Sequence, residues 1–408
     1  MRILVINCGS SSLKYQLIDL EKNKVEARGL ADRVGLQLYE SATLTHKVND
    51  KVWKYEADMP NHYRAMEEVV KALLHPEMGV IKSLDEIDAV GHRVVHGGEK
   101  FTGSVLIDSD VEKAIEDCIS LAPLHNPPNL TGIRAAKALL PNIPHVAVFD
   151  TAFHSTIPNY AYIYALPYEF YEKYGIRRYG FHGTSHYYVS RRAMEYLQKT
   201  FGIAPSESKI ITCHLGNGCS ITAVLGGRSI DTSMGFTPAE GLVMGTRCGD
   251  IDPAIIPFLM EKEDFSPKDI DEVLNKKSGL LGISGETNDM RDIEEAVAKG
   301  HKRAKLAFDI FCYRVKKYIG AYAAALGGLH AIVFTGGIGE NGPMEREAIC
   351  HGLEFLGVKI NPAKNDETIR GKEADISEED APVRVLVVPT NEELVIAEET
   401  RRVVSSIK

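Results

Sequence analysis

The chain has 408 residues, of which 44% are hydrophobic and 25% charged, and this composition excludes fibrous and disordered proteins. A chain of this length is too long for one ordinary core, so we expect two or three domains. The 47 Lys and Arg against 56 Asp and Glu leave a net charge of −9, which offers no global field to attract nucleic acid or an anionic membrane. Seven scattered cysteines without a C-x-x-C pair exclude a disulfide scaffold and predict reduced thiols in a cytoplasmic protein.

The predicted elements alternate along the chain between short β-rich runs and helices. The clearest helix covers 308–326, where apolar residues recur at spacings of three and four. It leads into the apolar stretch 318–338, which we interpret as a helix end followed by a buried strand and not as a membrane span. This alternation predicts an α/β protein with helix-covered sheets. The strand-like runs are 3–6, 146–149, 210–213, 221–225, 331–335 and 383–388.

Two strand–turn–strand segments, about half a chain apart, resemble each other. The turn of the first is at residues 7–12 and the turn of the second at 214–220, and both are rich in small polar residues and glycine. Glycine lets the backbone approach a ligand closely, and exposed amides with hydroxyls make a good anion cradle. The echo predicts two similar domains that each open with a hairpin, while two unrelated hairpins remain the alternative from the pattern alone.

A glycine-rich loop follows the predicted strand at 331–335. Its Gly337, Gly339 and Gly342 match the G-x-G-x-x-G fingerprint of dinucleotide-binding folds, and Pro343 is suited to open the next helix. The fingerprint also needs an acidic residue about 20 positions later to hold a ribose, and the next apolar run ends in Asn and Pro instead. We therefore favour a loop that binds another nucleotide over a nicotinamide site.

Ionisable residues stand directly beside apolar runs in four segments, and in three of these glycine flanks them as well. These segments are centred on Arg93, Asp150, His182 and Arg247. In α/β folds, ligands bind beyond the carboxyl ends of the strands, where such residues collect. Each residue has an ordinary structural alternative, such as a surface cation, a helix cap or a core histidine. Together they suit phosphoryl transfer, in which catalysis is mainly positioning and electrostatic stabilisation of spread negative charge.

With these motifs the chain resembles the acetokinase family, within the wider superfamily of actin, sugar kinases and heat-shock chaperone ATPases. The resemblance covers nearly the whole chain, and the motifs follow one another in the family's order. They lie at residues 7–14, 91–98, 123–128, 149–154, 179–186, 214–218, 244–247, 335–341 and 389–393.

The resemblance implies two similar ribonuclease-H-like (actin-like ATPase) domains, each with a mixed sheet covered by helices, and an active-site cleft between them. The N-terminal domain would comprise residues 1–150 plus 385–408, the latter being a returning C-terminal strand and helix. The second domain, at 151–384, would carry most of the nucleotide-binding segments.

The activity that the resemblance implies is the reversible phosphorylation of acetate to acetyl phosphate by ATP, through direct in-line transfer. Mg²⁺, with Mn²⁺ as a substitute, would be the cofactor, ATP and ADP the co-substrates, and the enzyme a cytoplasmic homodimer. By similarity, Arg93 and Arg247 hold the acetate carboxylate and the transferring phosphoryl group. His182 would stabilise that group in the transition state, and Asp150 would be the essential carboxylate.

The remaining site residues are also implied by the resemblance. Asn7 and Glu392 would be associated with Mg²⁺, and Lys14 with an ATP phosphate. A small apolar pocket around the acetate methyl would be formed by Val95, Leu124, Phe181 and Pro238. The nucleotide would be bound by His214, Leu215, Gly216, Asn217, Gly218, Asp289, Met290, Arg291, Gly337, Ile338, Gly339, Glu340 and Asn341.

A capping box predicts where the last helix begins. Thr390 and Glu393 form a T-x-x-E pattern, which places Glu392 in the first helical turn, where the helix dipole favours an acid. The apolar side of this helix would carry Leu394, Ala397 and Val404.

Three alternatives to an acetate kinase remain at this point. A propionate or butyrate kinase would use the same mechanism, because one methylene is worth only about 1–3 kcal/mol in an apolar pocket. A non-enzymatic nucleotide-gated protein and a nicotinamide-dependent dehydrogenase are the others. Met290 stands where the family often carries an aromatic residue, which would make a softer, less stacked base pocket.

Overall fold

The chain forms two compact units in a computed structural model that describes residues 1–36, 41–123 and 125–407. The first unit comprises Met1–Ala152 and Asn391–Lys408, and the second comprises Phe153–Thr390. Each unit contains one mixed sheet with helices on it, which confirms the expected α/β class.

The first unit is built on an eight-stranded sheet with the order β5-β4-β3-β2-β1-β6-β8-β7. Its strands are β1 (Arg2–Cys8), β2 (Ser12–Asp19), β3 (Lys24–Asp32), β4 (Thr43–Val48), β5 (Lys51–Glu56), β6 (Ala89–Val94), β7 (Val105–Leu106) and β8 (His145–Phe149). Its helices are α1 (His62–Leu74), α2 (Ser109–Asp117), α3 (Asn126–Leu139) and, last in the chain, α15 (Glu392–Ser405).

Alternate residues of β1 pack into two different cores. Leu4 and Ile6 join the core under α1 and α3, whereas Ile3 and Val5 join the core under α15. Because successive side chains point to opposite faces of a strand, a continuous apolar run is what a strand covered on both faces requires. The apolar run at residues 3–6, predicted to be a strand, is thus explained by its place in the middle of the sheet.

The second unit is built on a six-stranded sheet with the order β11-β10-β9-β12-β14-β13. Its strands are β9 (Lys209–Leu215), β10 (Cys219–Leu225), β11 (Arg228–Thr232), β12 (Ala331–Thr335), β13 (Ala374–Asp375) and β14 (Arg384–Val387). Its helices are α4 (Asn159–Tyr162), α5 (Glu169–Tyr174), α6 (Gly183–Phe201), α7 (Ile255–Glu263), α8 (Pro267–Lys276), α9 (Gly279–Ser284), α10 (Met290–Ala298), α11 (Lys302–Leu326), α12 (Gly336–Asn341), α13 (Pro343–Cys350) and α14 (Pro362–Glu367).

The two sheets repeat one topology. In each, three antiparallel strands (β3-β2-β1 and β11-β10-β9) are followed by two parallel strands (β6-β8 and β12-β14) and a short antiparallel edge strand. Strands β4 and β5 are an addition to the first sheet. The hairpin echo in the sequence thus reflects two similar domains, and the alternative of two unrelated hairpins is wrong.

The strand predicted at 383–388 lies in the second unit. We expected it to return to the first domain, but β14 pairs in parallel with β12, with Ile332 opposite Val385. Its side chains are buried in the second sheet between β12 and β13. The expected boundary at 384/385 is therefore wrong, and of the predicted strand and helix only α15 belongs to the first unit.

The cap of α15 also differs from the predicted capping box. Asn391 is the N-cap, and its side-chain oxygen accepts a hydrogen bond from the Leu394 N–H at 3.1 Å. Thr390 instead donates its hydroxyl to Ser185 at 2.8 Å. Glu392 does begin the first helical turn, as predicted. An Asn cap needs the same local geometry as a Thr cap, so the sequence signal was displaced by one residue.

The other predicted elements are confirmed. The helix predicted at 308–326 is part of α11, which leads into the buried strand β12, and Pro343 opens α13. Among the described residues, no helix combines the length and the apolar character that a membrane crossing would need. Each of the seven cysteines is a free thiol.

Candidate active site

Arg93 and Asp150 meet at the carboxyl ends of two parallel strands of the first sheet. Arg93 lies near the end of β6, and Asp150 directly follows β8, whose register pairs Val94 with Phe149. The Asp150 carboxylate, only 1% exposed, accepts hydrogen bonds from Nη2 of Arg93 at 2.6 Å and from Nε at 3.1 Å. This is the two-point geometry that a guanidinium and a carboxylate prefer.

Glu392 extends this pair into a charged cluster. Its Oε2 lies 4.0 Å from Nε of Arg93. Burial opposes the charge of Arg93, but the carboxylates of Asp150 and Glu392 outweigh it and raise the pKa of Arg93. Burial, together with the charges of Asp150 and Glu393, raises the pKa of Glu392 to about 7. The negative charges of the carboxylates in this cluster therefore outweigh the positive charges near them, and Glu392 binds a proton more readily than an exposed glutamate does.

Two buried asparagines hold the loop that follows Arg93. Asn129 accepts the Val95 N–H at 3.0 Å and donates to the Cys8 carbonyl at 2.8 Å, which ties β6 to β1. Asn126 accepts the His96 N–H at 3.1 Å and donates to the His96 carbonyl at 3.0 Å. The sequence motif at 123–128 contained Asn126 but gave no indication of either role, because both depend on backbone groups far away in the chain.

His182 occupies an unusual backbone position in the second unit. It is the N-cap of α6 with a φ of +56°, the left-handed region that non-glycine residues rarely adopt. Its ring stacks on His214, with centroids 4.2 Å apart, and its Nδ1 lies 2.9 Å from the Ser220 hydroxyl. A non-glycine residue in this conformation is typical of a functional site.

Arg247 is a largely buried cation of the second unit. Its Nη1 lies 3.5 Å from the Pro238 carbonyl and 3.7 Å from the Met244 sulfur. No ion pair of Arg247 occurs within residues 1–36, 41–123 and 125–407, and burial lowers the pKa of its guanidinium. A guanidinium removed from water without an anion is costly, so this position is suited to an anionic ligand.

His182 and Arg247 converge on Gly218. A Cβ atom at Gly218 would lie 3.3 Å from Nη1 of Arg247 and 3.8 Å from Nε2 of His182. Because Gly218 has no side chain, there is space above its backbone. Nη1 of Arg247 and Nε2 of His182 both border this space. Space of this kind fits an oxygen-rich anion.

A cavity of about 510 Å³ lies beside the glycine loops of the second unit. This is within the size range of small-molecule sites. Eight of the predicted nucleotide residues line it: Gly216, Asn217, Asp289, Met290, Arg291, Gly337, Ile338 and Asn341. Four lining residues were not among them: Asn288, Glu294, Gly342 and Glu345.

The other predicted nucleotide residues are not in the lining of this cavity. Leu215 and Gly339 are buried in the second sheet and in α12, and His214 stacks on His182. The Glu340 carboxylate accepts the N–H groups of Gly336 and Thr390, at 3.0 and 3.1 Å. Glu340 thus fixes the loop and does not face the cavity.

The signal for two of the missed residues was present in the sequence. Glu294 follows Met290 by four positions on α10, so both side chains lie on one helix face. Gly342 was part of the G-x-G-x-x-G match. Asn288 donates to the Asn217 side chain at 3.1 Å, a contact that no spacing rule indicates.

The residues predicted to form the apolar pocket belong to both units. Val95 is buried in the first unit, and Phe181 is buried in the second. The carbonyl of Pro238 faces Arg247, and Leu124 lies outside the described residues. Lys14 is exposed on β2, where it lines a second cavity of about 380 Å³ together with Arg28, Lys47 and Glu393, among others.

These features define a class of α/β protein that handles phosphate. The repeated topology places a hairpin turn at the start of each sheet. The second unit contains a cavity of nucleotide size and a guanidinium that forms no ion pair with the described residues. The profile of the acetokinase family matches residues 2–398. The chain belongs to the acetokinase family.

Known proteins are similar to this chain in sequence and in structure over nearly its whole length. An acetate kinase of Methanosarcina acetivorans is 60% identical over 404 residues, which are 99% of this chain and 97% of the relative. The crystal structure of Porphyromonas gingivalis acetate kinase superposes with a TM-score of 0.93 at 50% identity, covering 99% of both chains. A propionate kinase from Francisella tularensis superposes at 0.90 with 44% identity, covering 98% of this chain and 99% of that one.

Proposed function

We propose that this enzyme phosphorylates acetate with ATP to give acetyl phosphate and ADP, reversibly. The observation that carries the proposal is Arg247, a largely buried guanidinium that shares the space above Gly218 with His182 and has no carboxylate partner in the described part of the chain. Membership of the acetokinase family and relatives with the name acetate kinase support the same activity. ATP would occupy the cavity of about 510 Å³ in the second unit.

The second unit would stabilise the group in transfer. An acetate oxygen attacks the γ-phosphorus, the bond to the bridging oxygen breaks, and ADP leaves with the electron pair. Arg247 and the Nε2–H of His182 would donate to the equatorial oxygens, where negative charge is spread in the transition state. Donors that are already fixed in place stabilise that charge without reorganisation.

The first unit would handle the carboxylate substrate. Arg93 is held by Asp150 through two of its nitrogens, so its orientation is fixed before acetate arrives. We assign the remaining guanidinium donors of Arg93 to the acetate carboxylate. Asp150 then acts as the carboxylate that positions Arg93 and the nucleophile.

Mg²⁺ would be bound by Glu392 and Asn7. The donor set fits the metal, because Mg²⁺ prefers oxygen ligands. Glu392 provides a carboxylate that lies close to the negative charge of Asp150, and Asn7 provides an amide oxygen near the end of β1. Within the described residues no cluster of three or more His, Cys, Asp or Glu side chains could hold a metal alone, so phosphate oxygens and water would complete the shell. When bound, the metal neutralises charge on the β- and γ-phosphates.

The second candidate substrate is propionate, and one observation favours including it. A propionate kinase shares the fold over 98% of this chain. An apolar pocket for the methyl group would discriminate the extra methylene by only about 1–3 kcal/mol. Propionate is therefore expected as a slower substrate.

We also propose that the enzyme is a cytoplasmic homodimer. Five large apolar side chains are exposed between residues 160 and 174: Tyr160, Leu166, Tyr168, Phe170 and Tyr174. Apolar side chains so close together on a surface are typical of an interface. Seven free thiols suit a reducing compartment.

The test is an assay that traps acyl phosphate. Protein, ATP, Mg²⁺ and acetate are incubated with hydroxylamine, and the hydroxamate is measured, with propionate and butyrate in parallel. Arg93→Ala and Arg247→Ala are each expected to lower kcat about 10²–10³-fold, as loss of one fixed donor does. Arg401→Ala, on the exposed side of α15, is the control and should leave the rate unchanged. The absence of hydroxamate with every acid would refute the function, and near-wild-type rates for both site variants would refute their roles.

A further inference from the structure

Behind His182, hydrogen bonds connect four buried or partly buried side chains into one chain. Ser220 Oγ lies 2.9 Å from Nδ1 of His182 and 2.7 Å from Nε2 of His186. Nδ1 of His186 lies 2.7 Å from Oγ1 of Thr212. Ser220, His186 and Thr212 are fully buried. We call these residues, with His182, the Thr212–His182 chain.

His186 is neutral in this chain. Burial, together with the charges of His154 and His214, holds its pKa well below the usual range. A neutral imidazole carries one N–H, so one of its nitrogens donates and the other accepts. The direction of the bond to Thr212 therefore fixes the direction of the bond to Ser220.

Ser220 transmits this direction to His182. Its hydroxyl has one proton, so it can donate to only one of the two ring nitrogens next to it. If His186 donates from Nε2, Thr212 donates to Nδ1 of His186 and Ser220 donates to Nδ1 of His182. His182 then carries its proton on Nε2, the nitrogen that faces the space above Gly218.

The opposite direction would make His182 unsuitable for the reaction. Ser220 would then accept from Nδ1, and a neutral His182 would present a lone pair from Nε2 to the phosphoryl oxygens that Arg247 attracts. The ring of His182 stacks on His214 at 4.2 Å, and His214 Nδ1 is hydrogen-bonded with the Ser185 hydroxyl at 2.8 Å, so rotation of the His182 ring is restricted.

We propose that Ser220 is a positioning residue that keeps the proton of His182 on Nε2, through the hydrogen bonds that run from Thr212 and His186. The inference rests on the role given above to His182 as a donor to the transferring phosphoryl group. It adds that this donor is set by a serine that does not contact substrate.

The first measurement reads the tautomer without catalysis. In protein labelled with ¹⁵N-histidine, the ring nitrogen shifts of His182, assigned by comparison with His182→Gln, should report the proton on Nε2. Ser220→Ala should give a mixture of tautomers. A wild-type protein with the proton on Nδ1 would overturn the proposal, whether or not the wild type makes acyl phosphate.

The second measurement separates turnover from binding. Ser220→Ala should lower kcat about 10- to 100-fold, the equivalent of one lost buried hydrogen bond, with KM for acetate and ATP within twofold. Ser220→Thr keeps the hydroxyl on a strand and should restore kcat to within about threefold. Thr212→Val, which acts from the far end of the chain, should lower kcat less than Ser220→Ala does.

Thr222→Val is the matched control. Thr222 lies on β10 two residues after Ser220. Its buried hydroxyl is hydrogen-bonded to Thr232 at 2.8 Å and takes no part in the Thr212–His182 chain. This variant should change stability but not kcat. Equal losses of kcat in Thr222→Val and Ser220→Ala would overturn the proposal, as would a folded Ser220→Ala with wild-type kcat.

Discussion

Glu345 is a buried carboxyl at the edge of the nucleotide cavity. Both of its oxygens are buried, and neither accepts a hydrogen bond from the described part of the chain. Burial and the neighbouring Glu294 carboxyl raise its pKa to about 8, while Arg346 opposes the shift. The charge of Glu345 in turn acts on the buried thiol of Cys312 on α11, whose pKa is raised mainly by burial. Glu345 therefore keeps its proton at neutral pH and adds no negative charge to the cavity proposed to bind the nucleotide.

The first prediction concerns Glu345→Gln. The folded state holds the Glu345 proton up to about pH 8, whereas the unfolded chain loses it near pH 4.5, so the carboxyl destabilises the protein increasingly between these values. The amide should leave stability nearly unchanged at pH 5 and raise it at pH 8.5, by on the order of 1–3 kcal/mol. Urea unfolding of both proteins at pH 5, 7 and 8.5 measures the difference. Glu347→Gln, exposed on the same helix, should show no such trend, and a constant difference at every pH would contradict the assigned pKa.

At the level of single residues, the sequence drew attention to ionisable side chains and not to the groups that position them. Arg93, Asp150, His182 and Arg247 stood out because ionisable residues directly beside apolar runs are unusual. Ser220 had no such signal, because a serine in a strand is ordinary until its two histidine neighbours are known. Hydrogen-bond direction depends on tertiary contacts, and spacing along the chain does not report it.

At the level of elements, β1 and α3 approach each other closely at one point. A Cβ atom at Gly132 of α3 would clash with the sulfur of Cys8 at the end of β1. A residue larger than cysteine at position 8 would therefore push α3 away from the sheet.

The second prediction exploits this contact. Gly132→Ala should destabilise the protein by about 1–3 kcal/mol through overpacking. Combined with Cys8→Ala, the loss should be smaller than the sum of the two single changes, because the sulfur is gone. Denaturant midpoints measure this coupling.

Gly320→Ala is the control for helix propensity. A Cβ at Gly320 of α11 meets nothing within 4 Å, so alanine there should stabilise by about 0.5–1 kcal/mol. Strict additivity of the changes at positions 8 and 132 would show that the two residues do not compete for space.

Element boundaries were predicted well where hydrophobic pattern determines them and less well where a partner does. The burial of β1, β9 and β12 follows from apolar runs that the sequence shows directly. For β14 the run was equally clear, but its sheet was assigned wrongly, because an apolar strand can complete either of two similar sheets. Only the pairing with β12 decides between them.

At the level of the whole molecule, the exposed aromatic segment gives a prediction about assembly. Tyr160 is 86% exposed and Leu166 55% exposed. The wild-type protein should have twice the chain mass of 45.0 kDa in light scattering after size exclusion. The double variant Tyr160→Asp with Leu166→Asp should shift it toward one chain, because charge is poorly tolerated in an interface core.

Tyr313→Asp on α11 is the matched control, since that tyrosine is also exposed, at 63%, and lies outside the segment. It should leave the mass unchanged. A wild-type monomer at micromolar concentration would contradict the dimer, and a double variant that remains dimeric would contradict the surface.

The return of α15 to the first unit has a consequence for synthesis on the ribosome. Ile396, Ala397, Val403 and Val404 complete the core that Ile3 and Val5 begin, yet the whole second unit is translated before them. The second unit can therefore fold first, while one apolar face of the first unit's sheet stays exposed. Until α15 is synthesised, this face is protected from aggregation only by chaperones or by rapid completion of the protein. A protein truncated before residue 391 should therefore have a folded second unit, whereas its first unit should remain susceptible to proteolysis.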